Sequence, residues 1–347
     1  SQYGITWTFD QEYEVGQFVN GDYYVVGPAT VISIDPPPAN GRNGSVLDLK
    51  VAGNTYTSGK VGYDSRIVHE RYDPTQVVTP PITLQPGNSL ISTVSLADNE
   101  MGTIERMLRP GYYNADIPTR TAAILTCLAA PVDSDAFRPA YADQTNKIYY
   151  ARNLRRELLP SLPRVPSTPT LAEFERYLER PWLDTAYDEF TAPLENMPTY
   201  GHEYTRCVSM AALLLCLDFP LEEKETLLIR FVQLGIDLWG LLEAGFLGWP
   251  AVGGHGNGRK LPILFAGLML NEEDMMHPYN KHPEAKFSED MQTMYDNCWT
   301  GAKVVYAGHV GKDGLPNKVG WGAYEHLHPT QWESCLLYTS PSPRDLS

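Results

Sequence analysis

Positive charge is scarce in this sequence. Its 347 residues carry 27 lysines and arginines against 42 aspartates and glutamates, a formal charge of −15, with a pI near 4.9. Binding a nucleic-acid backbone needs a basic surface that displaces counterions from phosphates, so the charge argues against a general nucleic-acid binder and leaves room for a local basic pocket inside an acidic shell. Long hydrophobic runs are missing as well. The densest, Met210 to Leu217, falls well short of the roughly 18 residues that mark a bilayer-crossing helix, and no membrane span is expected. Cysteine is sparse and never paired as Cys-x-x-Cys; Cys127, Cys207, Cys216 and Cys298 read as scattered, mostly buried thiols rather than disulfides. His-Glu-x-x-His, Gly-x-Ser-x-Gly and the phosphate-loop pattern Gly-x-x-x-x-Gly-Lys-Ser/Thr are all absent. Zincin, serine-hydrolase and NTPase chemistry thus lack their signatures. No metal and no cofactor is expected.

With 43% hydrophobic residues, the chain can bury a substantial core, and its fold class reads as α+β and multidomain. Residues 1–113 alternate like a β-sandwich-like module. Ile5 to Phe9, Thr30 to Ile34, Val46 to Val51, Val61 to Tyr63 and Ser89 to Leu96 are strand candidates, and Asn20-Gly21 predicts a type I′ hairpin between Glu12–Val19 and Asp22–Val26. Tyr13, Tyr23, Tyr24, Tyr56 and Tyr63 either pack this sheet or offer stacking faces to sugars. Residues 114–169 are mixed. Arg120 to Leu128 is too short a run to separate strand from helix, and four prolines between Leu159 and Pro169 suggest a stiff linker at a domain boundary. Residues 170–334 read as helical. Thr170-Leu-Ala-Glu173 has capping-box spacing, and helices are expected over about Tyr200–Leu217, Leu221–Phe246, Arg259–Leu270 and Ser288–Cys298. Cys335 to Asp345 reads like the in-frame translation of a transposon-type sequencing adapter. The native sequence is therefore expected to stop near Ser334, with 335–347 a non-native tail.

Chemistry concentrates in the helical half, which holds seven of the eight histidines. His202 and Arg206 lie four apart, on one helix face, with Glu203 and Tyr204 between them. Arg230, Gln233 and Asp237 form one polar stripe, expected to be either solvated or functional. Gly253 to Gly258 then lead into Arg259 and Lys260 at a helix start, where free amides favour an anion; Trp249, His255 and Asn257 stand beside them. The same glycines would also let two helices approach closely. Tyr324-Glu-His-Leu-His328 is the tightest small cluster; His-x-His can ligate a metal, but His326 and His328 read better as a satisfied or substrate-contacting pair.

Taken together, Tyr200-Gly-His-Glu-Tyr-Thr-Arg206, Gly248-Trp-Pro250, Gly253 to Lys260 and Tyr324 to Pro329 resemble the α/α-toroid domains of bacterial polysaccharide-degrading enzymes, the alginate-lyase-like and heparinase-like lyases. The resemblance covers about residues 168–334. It implies a partial α/α-toroid after the β-module, secretion or a periplasmic location, and β-elimination on an acidic, uronate-containing polysaccharide. It also implies proton-transfer roles for Tyr204 or Tyr324 and for His202 or His255, with Arg206 or Lys260 neutralising the uronate carboxylate; Trp249, Asn257, Arg259, Glu325, His326 and His328 are the further candidate substrate contacts. Two other readings stay open: a glycoside hydrolase using carboxyls among Glu203, Asp237, Glu243 and Glu325, and a non-catalytic glycan-binding or structural surface protein.

Overall fold

The structure is a computed structural model that describes residues 1–68, 70–185, 191–249 and 254–290, and the backbone of 293–297 and 303–307. It is mixed α and β, with strands gathered in the N-terminal part and helices in the C-terminal part. Strands β1 (Thr6–Phe9), β4 (Ala29–Asp35) and β6 (Ile82–Leu84) form one antiparallel sheet. A five-stranded sheet runs β2 (Val15–Gln17), β3 (Tyr23–Val26), β8 (Thr119–Leu128), β7 (Ser89–Ser95), β5 (Ser45–Leu47). Every pairing in it is antiparallel except β3 with β8.

Strand β8 resolves the ambiguous run. Its residues are buried along nearly the whole length because the sheet is covered on both faces. Ala123, Leu125 and Cys127 share a core with Trp7, Val31 and Ile82 of the three-stranded sheet. Ala122 and Ile124 point the other way, into a core continuous with the helices. Covering both faces removes the polar alternation that marks a strand in sequence. The five-stranded sheet is completed by residues beyond 113.

The hairpin at Asn20-Gly21 forms, but not as a type I′ turn. Only Gly21 has positive φ; Gly21 N–H bonds the Phe18 carbonyl and Phe18 N–H the Asp22 carbonyl, both at 2.9 Å, the three-residue loop with a left-handed glycine. The proline-rich stretch does not float between halves. Leu162 donates to the Cys216 carbonyl and accepts from Asp218 N–H, each at 2.9 Å.

Helix α1 (Leu171–Leu178) starts at Thr170, whose hydroxyl accepts from Glu173 N–H. Helices α2 (Gly201–Leu215), α3 (Leu221–Glu243) and α4 (His255–Leu270) follow. The fully covered rod is α3, buried without a break from Phe231 to Leu242, whereas Leu213 near the end of α2 is exposed. Helix α4 begins at His255, four residues earlier than expected, with Gly254 as its left-handed N-cap. Lys286–Phe287 pairs with Gly248–Trp249 as two short parallel strands, and where a helix over Ser288–Cys298 was expected the described backbone holds a strand. Thr293–Asn297 pairs antiparallel with Lys303–Ala307; threonine, tyrosine and valine suit a strand better than a helix. Among the described residues no helix is long and apolar enough to cross a membrane.

Candidate functional site

The expected site residues part company. Tyr204, His255, Arg259 and Trp249 are all buried. Arg259, with no exposed surface, gives Asp184 two hydrogen bonds at 2.6 and 2.8 Å and lies 3.5 Å from the centroid of the Tyr204 ring. The His255 ring packs between those of Tyr56, at 5.0 Å, and Tyr204, at 5.8 Å, and Trp182 meets Tyr204 edge-on. Trp249 stacks on Phe287 in the core. Here a tyrosine, a histidine and an arginine do converge, but they form an interior clamp closed to solvent.

The glycine corner is likewise answered from within the chain. Glu289 accepts from Gly254 N–H at 2.8 Å and from Asn257 N–H at 3.1 Å, so its carboxylate occupies the positive end of α4. Lys260 pairs with Asp290, and the Asn257 side chain faces solvent. Gly258 sits where a Cβ would come 2.9 Å from the Cβ of Tyr204, at the approach of α4 to α2. The corner expected to attract an external anion is neutralised by Asp184, Glu289 and Asp290. Tyr324, Glu325, His326 and His328 lie outside the described residues.

In the polar stripe of α3, Gln233 and Asp237 are buried, whereas Arg230 is partly exposed and donates to the Glu175 carbonyl. Arg138 bridges Asp22, at the hairpin, and Asp237 on α3, at 2.6 and 2.5 Å. Gln233 accepts from Arg138 N–H and donates to the Arg138 carbonyl. Desolvation pushes the Asp237 carboxyl up to about 6 despite Arg138. This network ties the sheet to the helices and leaves beside it a cavity of only about 20 Å³. Tyr24, Tyr56 and Tyr63, weighed as sugar-stacking faces, are buried.

A different face is open. The loop 105–113 folds back on itself, with Glu105 bridged to Tyr113 and Arg106 N–H bonded to the Tyr112 carbonyl at 2.7 Å. It lies against the start of α2. Arg106 donates to Asn114 at 2.6 Å and Asn114 to Thr199 at 3.1 Å. Arg109 stacks 3.6 Å from the Tyr112 ring centroid and 5.3 Å from that of Tyr200; Arg206 donates to the Leu108 carbonyl at 3.4 Å. His202 is exposed beside them. Tyr112, Tyr113 and Tyr200 are 51%, 55% and 36% exposed. Three guanidinium groups, a histidine and three exposed tyrosine rings thus share one face of an acidic protein.

Beneath it lies Glu203, 1% exposed, with no hydrogen bond to either carboxyl oxygen among the described residues. Burial raises its carboxyl above the ordinary glutamate value, while the charges of Arg106, Arg109 and His202 pull the other way. Of the expected residues, His202 and Arg206 belong to this face. Arg106, Arg109, Tyr112, Tyr113 and Tyr200 were missed, although Arg106-Met-Leu-Arg-Pro-Gly-Tyr-Tyr113 is dense in arginine and tyrosine for so acidic a chain.

Among the described residues no group of three or more His, Cys, Asp or Glu side chains is placed to hold a metal ion. Compared with models of known protein families, with curated proteins and with solved structures, the chain finds no match.

Proposed function

We propose that the chain is a carbohydrate-active enzyme that binds an acidic, uronate-containing glycan on the Arg106–Arg109–Arg206 face and cleaves it by β-elimination. The observation that carries this reading is the gathering of three arginines and three exposed tyrosines on one face of a chain with a formal charge of −15. Guanidinium groups suit planar carboxylates and sulfates, and exposed tyrosine rings suit the apolar faces of sugars. Charge neutralisation by the arginines acidifies the uronate C5 proton, and His202 takes it. The electron pair forms C4=C5, the C4–O bond breaks, and the leaving oxygen takes a proton from water. The architecture fits a β-sandwich-like module joined to a partial α/α-toroid, and a polymeric acidic substrate fits a secreted or periplasmic bacterial enzyme.

The test is incubation with uronate polymers while following ultraviolet absorbance of the unsaturated product. Rising absorbance, lost in His202→Gln, supports the reading. Reducing ends without absorbance would make the protein a hydrolase, and binding without turnover a glycan-binding protein.

A further inference from the structure

The open face covers a buried carboxyl that the proposed chemistry does not use. Glu203 lies in the first turn of α2, its oxygens buried and unbonded among the described residues. None of the cations above depends on it for position: Arg106 is held by Asn114, Arg109 by the rings of Tyr112 and Tyr200, Arg206 by the Leu108 carbonyl. The remaining acid of the loop, Glu105, is bonded to the Gly111 amide. Glu203 is therefore a buried countercharge, close enough to act on Arg106, Arg109 and His202 but screened from water.

We propose that Glu203 regulates the affinity of this face for anionic glycans by its own charge. Ionised, it offsets part of the cationic potential; protonated, it leaves that potential whole, and a sulfated or carboxylated sugar binds more tightly. The inference rests on the reading of this face as a glycan site, but not on β-elimination. Desolvation shifts Glu203 towards the protonated form, and linkage requires a bound anion to shift it further the same way. His202 and Glu105 are the other ionisable side chains of this face, so His202→Gln and Glu105→Gln serve as the controls that separate them from Glu203.

The probe is a heparin-derived oligosaccharide, whose sulfates keep their charge between about pH 5 and pH 8, titrated calorimetrically into the full chain. Wild type should bind more tightly as pH falls. Glu203→Gln should bind about threefold to tenfold more tightly at neutral pH, with a flatter pH profile; His202→Gln should keep the Glu203 component. Equal affinity and an unchanged profile in Glu203→Gln would overturn the regulation alone, and weaker binding would make Glu203 a positioning residue instead. No binding by wild type would remove the glycan site itself. Carboxyl NMR of the wild type gives a reading free of mutation: the Glu203 titration should move to higher pH with oligosaccharide bound, and an unmoved titration would sink the proposal.

Discussion

Arg259 and Asp184 face each other through two hydrogen bonds at 2.6 and 2.8 Å, both side chains without exposed surface. The pair joins α4 to the segment after α1, and the Tyr204 ring closes over the guanidinium. Removing one member leaves the other charge buried and alone, which costs about 3–5 kcal/mol. Asp184→Asn and Arg259→Gln are each expected to lose that much in urea denaturation, and the double variant less than their sum. Arg259→Lys should not rescue, because a point charge reproduces neither the fork nor the stacking. Full stability with lost glycan binding would make Arg259 a substrate contact after all.

Asp237 predicts a pH signature. Its folded value of about 6 lies above the roughly 3.9 of an unfolded aspartate, so the folded state binds more protons between these values. Its contribution to stability is fully present below about pH 4 and is lost as pH rises through about 6. Urea midpoints for wild type and Asp237→Asn, compared across that window, should diverge in slope. Parallel curves would show that Asp237 does not titrate there.

On the open face, Arg109→Ala should weaken acidic-glycan binding about tenfold, and Tyr112→Ala should reproduce part of that loss by releasing the stacked guanidinium. Arg109→Lys keeps the charge but not the planar stack, and should fall between. Wild-type affinity should drop with added salt, less steeply in Arg109→Ala. Salt-independent binding would place the glycan elsewhere.

Gly235 sits where α3 and α4 cross. A Cβ there would come 2.3 Å from the Pro262 carbonyl oxygen and 2.5 Å from the Ala266 Cβ. Gly235→Ala should force the helices apart and cost about 1–3 kcal/mol, seen as a lowered melting temperature. An unchanged melting temperature would mean that the crossing yields easily.

Local signals made much of the scaffold legible. The Thr170 cap and the apolar periodicity announced α1, α2 and α3 within a few residues. Strand β8 was not readable, because burial on both faces erased its alternation. The buried charges misled for a related reason: Arg259, Lys260 and the α4 amides look like an anion site until Asp184, Glu289 and Asp290 are brought to them by folding. The open face was obscure because its loop has no periodicity and meets α2 only across a long sequence separation, as in Asn114 to Thr199.

The parallel pairing of β3 with β8 sets Tyr23 opposite Leu125. During synthesis, β3 leaves the ribosome long before the strand that completes its sheet, and until then the edges of β3 and β7 that β8 will cover remain open to other chains. High contact order of this kind slows folding and exposes aggregation-prone edges. A gene fragment that stops before Thr119 would make that passing stage permanent, giving a sticky, unfinished sheet.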